Sequence, residues 1–419
     1  MKIYKHIFCF YILLSHLYCE VKTLTWQQVV KIAKEKNPQL QQAVINLQQT
    51  KIKLENVKSE FYPQVSLGMS SGKSLRQNYE SELSYSYNLS AGVTLFSGFS
   101  RLNNLRIQLI ELQVVHENYK RTLANLIASL KESFINVYYA QETVKLSTKI
   151  LNRRKQNYEL VKLKYESGRE DLGSLLRVEA DMLQANYELN RATRALEMAV
   201  RTLFKTMGED KFEFVKVDNI DFSNDVVLEN LLSKDVSEII SQTPEYKISE
   251  LQLQKIKLQA RNYSSVFYPT ILASAGLSWS GNEVIPDFDK WNLSLSMRLS
   301  YTIFNGFKNI NDLKIANNNI RTAEFDFYNT KLNLVNNFLN LKTSFIDNKE
   351  QATVREKYLQ ALEKQAEIIS IKYANGLATY YDWYQTEDSL VNAQRSLLNL
   401  QREISLSKIS IEKFLAYTE

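Results

Sequence analysis

The chain has 419 residues, 44% of them hydrophobic, so it can bury a core and is neither disordered nor a miniprotein. Lysine and arginine number 52 against 46 aspartates and glutamates, a mild excess dispersed along the chain with no dense basic block among aromatics, which argues against nucleic acid as a partner. Its 11 glycines and 5 prolines fall well short of the average usage of about 7% and about 5%, which implies long uninterrupted elements.

At the N-terminus, Lys2 and Lys5 precede an apolar run from Ile7 to Leu17 broken only by Cys9, Ser15 and His16. The run is shorter than the about 20 residues a spanning helix needs, so residues 1–19 read as a secretory signal peptide. Both cysteines, Cys9 and Cys19, fall inside this segment, leaving the mature body without a disulfide or a thiolate metal site. Cys19 keeps two readings, a lipidated residue, against which the bulky Tyr18 speaks, or one discarded at cleavage.

Self-similarity governs everything after residue 20. Asn37-Pro38 recurs as Thr243-Pro244 and Phe61-Tyr62-Pro63 as Phe267-Tyr268-Pro269, both at a spacing of 206. Leu95-Phe96-Ser97-Gly98-Phe99 recurs as Ile303-Phe304-Asn305-Gly306-Phe307, and Lys164-Tyr165-Glu166-Ser167-Gly168 as Lys372-Tyr373-Ala374-Asn375-Gly376, both at 208. The expected organisation is a first repeat over 20–206, an inter-repeat segment over 207–226 and a second repeat over 227–419.

In the first repeat, Leu83, Tyr85, Tyr87, Leu89, Ala91, Val93 and Leu95 alternate with Ser84, Ser86, Asn88, Ser90, Gly92 and Thr94. A period of two means a strand with one apolar and one polar face. Val65, Leu67 and Met69 give it a weaker partner, predicting a β-hairpin at about 64–96 with its turn near Gln77 to Glu82. From Ser100 to Ser167 there is neither glycine nor proline, and a helix over 100–166 would rise about 100 Å. Along it Leu102, Leu105, Leu109, Leu112, His116, Tyr119, Leu123, Leu126, Leu130, Ser133 and Val137 follow steps of three and four, a coiled-coil seam. His116 is the sole histidine after residue 19 and reads as a seam residue, since no second histidine or cysteine could join it at a metal. A helix over 170–206 follows Gly168.

Between the repeats, Val215, Val217, Ile220 and Phe222 break the helical pattern and suggest a belt around a tube of helices. The second repeat then restates the first. Trp291, Leu293, Leu295, Met297, Leu299, Tyr301 and Ile303 alternate with polar residues, and Ile271, Ala273, Ala275, Leu277 and Trp279 partner them in a hairpin at about 270–304 with a turn at Asn282 to Lys290. Helices over 308–374 and 378–416 complete it. Strands of about 9 to 11 residues with one apolar face suit a tilted transmembrane barrel, and Trp279, Trp291 and Tyr301 suit lipid interfaces. Four strands cannot close a barrel, whose smallest membrane forms have about eight, so several copies must share their hairpins.

With these marks in hand, the chain resembles the TolC family of outer-membrane efflux and secretion channels over its whole mature length. The resemblance rests on duplicated Asn/Thr-Pro helix starts, Tyr-Pro before each hairpin, Phe-Ser/Asn-Gly into each long helix and Tyr-x-x-Gly at each helical hairpin. It implies a mainly α fold with a pair of β-hairpins, in which very long coiled-coil helices form a trimeric α-barrel continued by a 12-stranded transmembrane β-barrel, four strands per chain. It further implies a passive duct in the outer membrane of a Gram-negative bacterium, spanning the periplasm, surrounded by outer-membrane lipid and docked through a periplasmic adaptor (membrane fusion protein) to an inner-membrane pump of a tripartite efflux or type I secretion system.

The resemblance also assigns candidate sites. At the pore constriction the family often carries two aspartates past the second glycine, where this chain has Asp382 and Gln385; the first repeat offers Ser174 and Arg177. Asp382 is then either part of an acidic ring on the threefold axis, with or without Arg177 as its partner, or a solvated residue favouring a helix start. Tyr165, Tyr373, Gly168 and Gly376 are expected to pack the hairpins against each other, by plain packing or as part of a gate. An arginine that some relatives carry two residues after the second glycine is replaced here by Ala378. Glu179 and Glu387 either face the lumen or pair with neighbouring helices. Leu172, Tyr380, Tyr381 and Trp383 are the candidate adaptor contacts, the aromatic cluster of Tyr380, Tyr381 and Trp383 suiting either a partner groove or the packing of the hairpins.

No phosphate loop, His/Cys metal spacing or nucleophile elbow is present, so neither catalysis nor a cofactor is expected. The competing reading is a periplasmic coiled-coil adaptor or structural protein whose strands form a soluble domain.

Overall fold

The structure is a computed structural model that describes residues 23–73, 83–218, 233–287 and 289–417. The expected signal segment with Cys9 and Cys19, the first hairpin turn at Gln77 to Glu82, and Ile220 and Phe222 lie outside the described residues.

In chain order the elements are α1 (Trp26–Lys36), α2 (Pro38–Ser59), β1 (Gln64–Lys73), β2 (Leu83–Ser97), α3 (Ser100–Glu166), α4 (Leu172–Met207), α5 (Val236–Gln242), α6 (Pro244–Ser264), β3 (Thr270–Gly281), β4 (Asn292–Ser300), α7 (Lys308–Ala374) and α8 (Tyr380–Phe414). The fold is mainly helical with a few antiparallel strands. Matching caps begin the helices after the prolines: Asn37 Oδ1 accepts from the Gln39 and Leu40 backbone at 3.0 and 3.1 Å, and Thr243 Oγ1 accepts from the Tyr246 backbone at 3.4 Å. Proline is tolerated there because the first helical N–H groups have no intrahelical acceptor.

The chain divides into two compact units. The first, Met1–Gln41, Thr122–Ile239 and Val335–Glu419, is helical among its described residues. Its core runs as successive apolar clusters, among them Ala128, Ile135 and Ile409, and Ile150, Leu151, Ala185 and Val391. Leu126, Leu130, Ser133 and Val137 of the predicted seam are buried in it. The inter-repeat strip packs here too. Val215 and Val217 are buried, and Gln141 clamps the Val217 backbone by donating to its carbonyl at 2.8 Å and accepting from its N–H at 3.1 Å.

The second unit, Gln42–Arg121 and Ile240–Leu334, holds the sheet. All four strands join in the order β1-β2-β3-β4, antiparallel throughout, so the two hairpins are paired through β2 and β3. Three expectations are corrected in this unit. Leu102, Leu109 and His116 are exposed within the chain, because α3 turns the buried Asn103 and Val114 inward there instead. Strand β4 ends at Ser300, leaving Tyr301 and Ile303 outside it, because Ser300 pairs with Thr270, the first residue of β3, and no partner remains beyond. Trp279 is buried against Tyr87, with ring centroids 5.5 Å apart, so it does not project to an interface from this chain.

Candidate functional site

The sheet has two chemically opposite faces, and the register aligns them across all four strands. On one face Leu67, Leu89, Leu277 and Leu293 form one row, and Val65, Ala91, Ala275 and Leu295 the next. On the other, Ser66, Ser90, Gly276 and Ser294 form a row, and Gln64, Gly92, Ser274 and Ser296 another. Serines bond across this polar face at 2.7–2.8 Å, Ser66 with Ser90, Ser70 with Ser86 and Ser274 with Ser296. The apolar face is not covered by the chain itself, since Leu67 remains 70% and Leu295 75% exposed. Single apolar residues on a surface need no explanation, but an ordered apolar face of this extent does.

The helical unit contains the second candidate region, where α3 turns into α4 and α7 into α8. Both long helices end in the same way. Gly168 and Gly376 adopt φ of 69° and 77°, the N–H of each donates to the carbonyl three residues back, and the next N–H reaches five residues back (Arg169 to Lys164 at 2.8 Å, Leu377 to Lys372 at 2.7 Å). This Schellman geometry requires a left-handed residue, hence glycine. A Cβ at Gly376 would meet nothing within 4 Å, so only backbone strain opposes one. Gly376→Ala is therefore expected to lower unfolding stability by about 1–2 kcal/mol, with Gly376→Asn recovering part of the loss, as read by urea unfolding in detergent.

Beyond each turn a side chain caps the next helix. Asp171 accepts from the Ser174 backbone at 2.9 Å and from the Ser174 hydroxyl at 3.0 Å. Thr379 accepts from the Asp382 backbone at 3.2 Å and donates its hydroxyl to Asp382 Oδ2 at 2.6 Å. Asp382 is thus an exposed carboxylate in the first turn of α8, and Gln385 is exposed one turn further on. Ser174, expected at the constriction, is buried and engaged in its cap, so its hydroxyl lines no bore. Arg177 does not reach Asp382 within the chain; it donates to the Tyr384 hydroxyl at 3.0 and 2.9 Å and lies 3.8 Å from Asp181.

Behind the turns, Val161 of α3, Val178 of α4, Tyr373 of α7 and Trp383 of α8 form one buried cluster. Tyr373 and Trp383 stack with centroids 4.5 Å apart and planes 11° from parallel, and Lys164 Nζ sits 4.5 Å over the Tyr373 ring. The Tyr373 hydroxyl donates to Glu170 Oε2 at 2.7 Å, and burial, then that bond, push its pKa up. Burial and the neighbouring Tyr384 push Tyr380 up to about 12, so both hydroxyls keep their protons at any physiological pH. Trp383, expected as an adaptor contact, is only 1% exposed and offers no surface to a partner. Of the other residues expected there, Leu172 and Tyr381 are exposed and Tyr380 is half-buried. Tyr165 is exposed, in contrast to its repeat equivalent Tyr373.

Glu387, singled out in the sequence, and charged residues that are not, Arg153, Arg154, Asp388, Arg395 and Glu188, tie this region together. Glu387, 1% exposed, takes Arg153 Nε at 2.5 Å and Nη2 at 2.6 Å, Asn157 Nδ2 at 3.2 Å and Ser370 Oγ at 3.0 Å. Ser370 in turn accepts from Trp383 Nε1 at 3.2 Å. Arg154 bonds Asp388 at 3.0 Å, and Arg395 bonds Glu188. Burial raises the Glu387 carboxyl, but the hydrogen bonds and charge of Arg153, with Asn157 and Ser370, outweigh it and hold it below the usual carboxylate range. Glu387 thus pairs with a neighbouring helix within the chain, while Glu179 is half-buried without a comparable cage. Among the described residues no group of three or more potential ligands could hold a metal ion, and no helix is long and apolar enough to cross a membrane.

A model of the family described as outer membrane efflux protein matches residues 29–209 and 236–416, one block in each repeat. The chain is 23% identical over 407 residues to the cation efflux system protein CusC of Escherichia coli K12, covering 94% of this chain and 85% of that protein. It is 21% identical over 396 residues to the probable outer membrane lipoprotein SilC of Salmonella typhimurium, covering 90% and 82%. A crystal structure of CusC superposes with a TM-score of 0.84 at 17% identity, covering 93% of this chain and 91% of that one.

Proposed function

The chain belongs to the outer membrane efflux protein family, and on that premise we propose that three copies close a twelve-stranded β-barrel in the outer membrane of a Gram-negative bacterium and continue it through the periplasm as a tube of helices. The assembly is a passive exit duct for a tripartite efflux pump or a type I secretion system. The sheet carries this reading. Its apolar face is ordered, uncovered and opposed by serine, asparagine and glycine, which suits lipid outside and water within. Strands β1 and β4 each have a neighbour on one side only, and an unpaired edge in lipid would leave backbone groups unsatisfied. Pairing β1 of one copy with β4 of the next removes both edges, a head-to-tail contact that closes into a ring.

The exposed hairpin ends are the proposed docking surface for the adaptor, with Leu172 and Tyr381 presenting apolar area and the half-buried Tyr380 backed by Trp383. Asp382 and Gln385, both exposed within the chain, are the proposed constriction residues. Gly168, Gly376, Tyr165 and Tyr373 set the hairpin geometry, and the two repeats, 20–206 and 227–419, remain the proposed structural divisions.

Two measurements test the reading. The full-length protein should require detergent for extraction from envelope fractions and run on unheated gels as a trimer that heating dissociates; a detergent-free monomer would instead favour a periplasmic adaptor or structural protein. In planar bilayers, Asp382→Asn should weaken block by a multivalent cation by about tenfold, since three carboxylates would be lost together. Unchanged block removes Asp382 from the constriction.

A further inference from the structure

We propose that Arg298 makes the barrel lumen selective for anions, three copies forming a guanidinium ring at the end of the barrel nearest the helices. This rests on the trimeric barrel proposed above. In the register, Arg298 shares a row with Leu272 and Thr94 on the serine-lined face, two residues before β4 ends. Both long helices, α3 and α7, begin soon after that end of the sheet. The four strands contain no aspartate or glutamate, and their one other charged residue, Lys73, lies at the opposite end of β1 and on the alternate face. Arg298 is therefore the single charge the strands place on the polar face.

Its side chain is exposed and makes no ion pair or hydrogen bond among the described residues. Arg101 shows what a structural guanidinium does at the same end of the sheet: it donates to the carbonyls of Glu60 and Thr94 and lies 5.0 Å over the Phe61 ring. Arg298 has none of these anchors, and an arginine stays charged at any pH of interest. The acidic residues of the β3–β4 connection, Glu283, Asp287 and Asp289, lie at the other end of the strands, with Asp287 paired to Lys290 at 2.9 Å.

Magnitudes favour an effect across the whole bore. Twelve strands about 4.8 Å apart and tilted about 40° enclose a barrel of roughly 12 Å radius to the backbone. The Debye length is about 10 Å at 0.1 M salt, and each side chain extends inward, so no path through the ring escapes its field. The solutes favoured would carry carboxylate, phosphate or sulfonate groups, which match the guanidinium fork.

The test is the reversal potential of the full-length protein in phosphatidylcholine bilayers under a KCl gradient. Arg298→Gln should lower the chloride-to-potassium permeability ratio by about twofold or more, Arg298→Glu should lower it further, and Arg298→Lys should keep the wild-type value. Each variant is first checked for the heat-sensitive trimer, and the Gln and Glu variants stand in for each other if one fails to assemble. Pores of wild-type conductance whose selectivity ignores both substitutions would overturn the ring and leave the barrel standing. A wild-type protein that forms no trimer and no pore would overturn both.

Discussion

Glu387→Ala is expected to lower the stability of the helical unit by about 3 kcal/mol, near the bottom of the about 3–5 kcal/mol range for breaking a buried ion pair. The low end applies because the Arg153 side chain is 37% exposed, so water can partly replace the carboxylate, whereas Glu387 itself is enclosed. The acid is held by four donated hydrogen bonds from α3 and α7, and its removal frees Arg153, Asn157 and Ser370 at once. The pH dependence follows from the depressed pKa of Glu387. As pH falls, the unfolded chain takes up the proton first, so the stabilisation is complete above the ordinary carboxylate range and is lost below it. Glu387→Gln should therefore flatten the acid limb of a stability profile measured by denaturant unfolding in detergent. Arg153→Met combined with Glu387→Met should recover much of the loss, because two apolar groups leave no charge unpaired. A single variant as stable as the wild type, with an unaltered acid limb, would mean the cage contributes nothing.

The parts of the fold that were legible in the sequence are those encoded by short-range periodicity. Alternation from Leu83 to Leu95 states which face of a strand is apolar without reference to any other element, and the breaker-free stretches after Ser100 and Lys308 state that helices continue. What was not legible depends on partners far along the chain. Trp383 suits either a partner groove or hairpin packing on local evidence, because it clusters in sequence with Tyr380 and Tyr381 just past a turn. Helical geometry separates them: Tyr380, Trp383, Glu387 and Leu390 follow steps of three and four along one face, while Tyr381, Asp382 and Gln385 fall elsewhere. That spacing could have marked Trp383 as buried. It could also have marked Glu387 as an acid on an apolar seam, in need of a cation. It could not have named Arg153, 234 residues away, whose neighbourhood of basic and polar residues reads as solvated helix surface. Likewise, nothing local distinguishes Tyr165 from Tyr373, and only the packing of four helices around the second shows why one is buried and its repeat equivalent is not.

Leu89→Lys is expected to impair assembly of the barrel severely, while Asn88→Lys, one residue away, is expected to be tolerated. Leu89 lies in the row Leu67, Leu89, Leu277 and Leu293, midway along β2, and Asn88 lies opposite it in the row Gly68, Asn88, Ser278 and Asn292. If the apolar rows meet lipid, a lysine at position 89 stands near the bilayer midplane, where it costs about 2–4 kcal/mol per chain. In the proposed trimer three copies share one ring, so the penalty would be incurred three times in each assembled barrel. A lysine at position 88 projects into water and keeps its hydration. The discriminating measurement is folding of the purified protein into lipid vesicles, read as the fraction of heat-dissociable trimer. A soluble sandwich that buried the apolar face against a second layer would also reject Leu89→Lys, but it would fold without lipid, and the wild type would leave envelope fractions without detergent. Equal tolerance of the two lysines would mean that the faces are not distinguished by lipid and water. Rejection of the lysine at 88 with acceptance at 89 would reverse the barrel, placing serine and asparagine against the acyl chains, where their hydroxyl and amide groups would find no water.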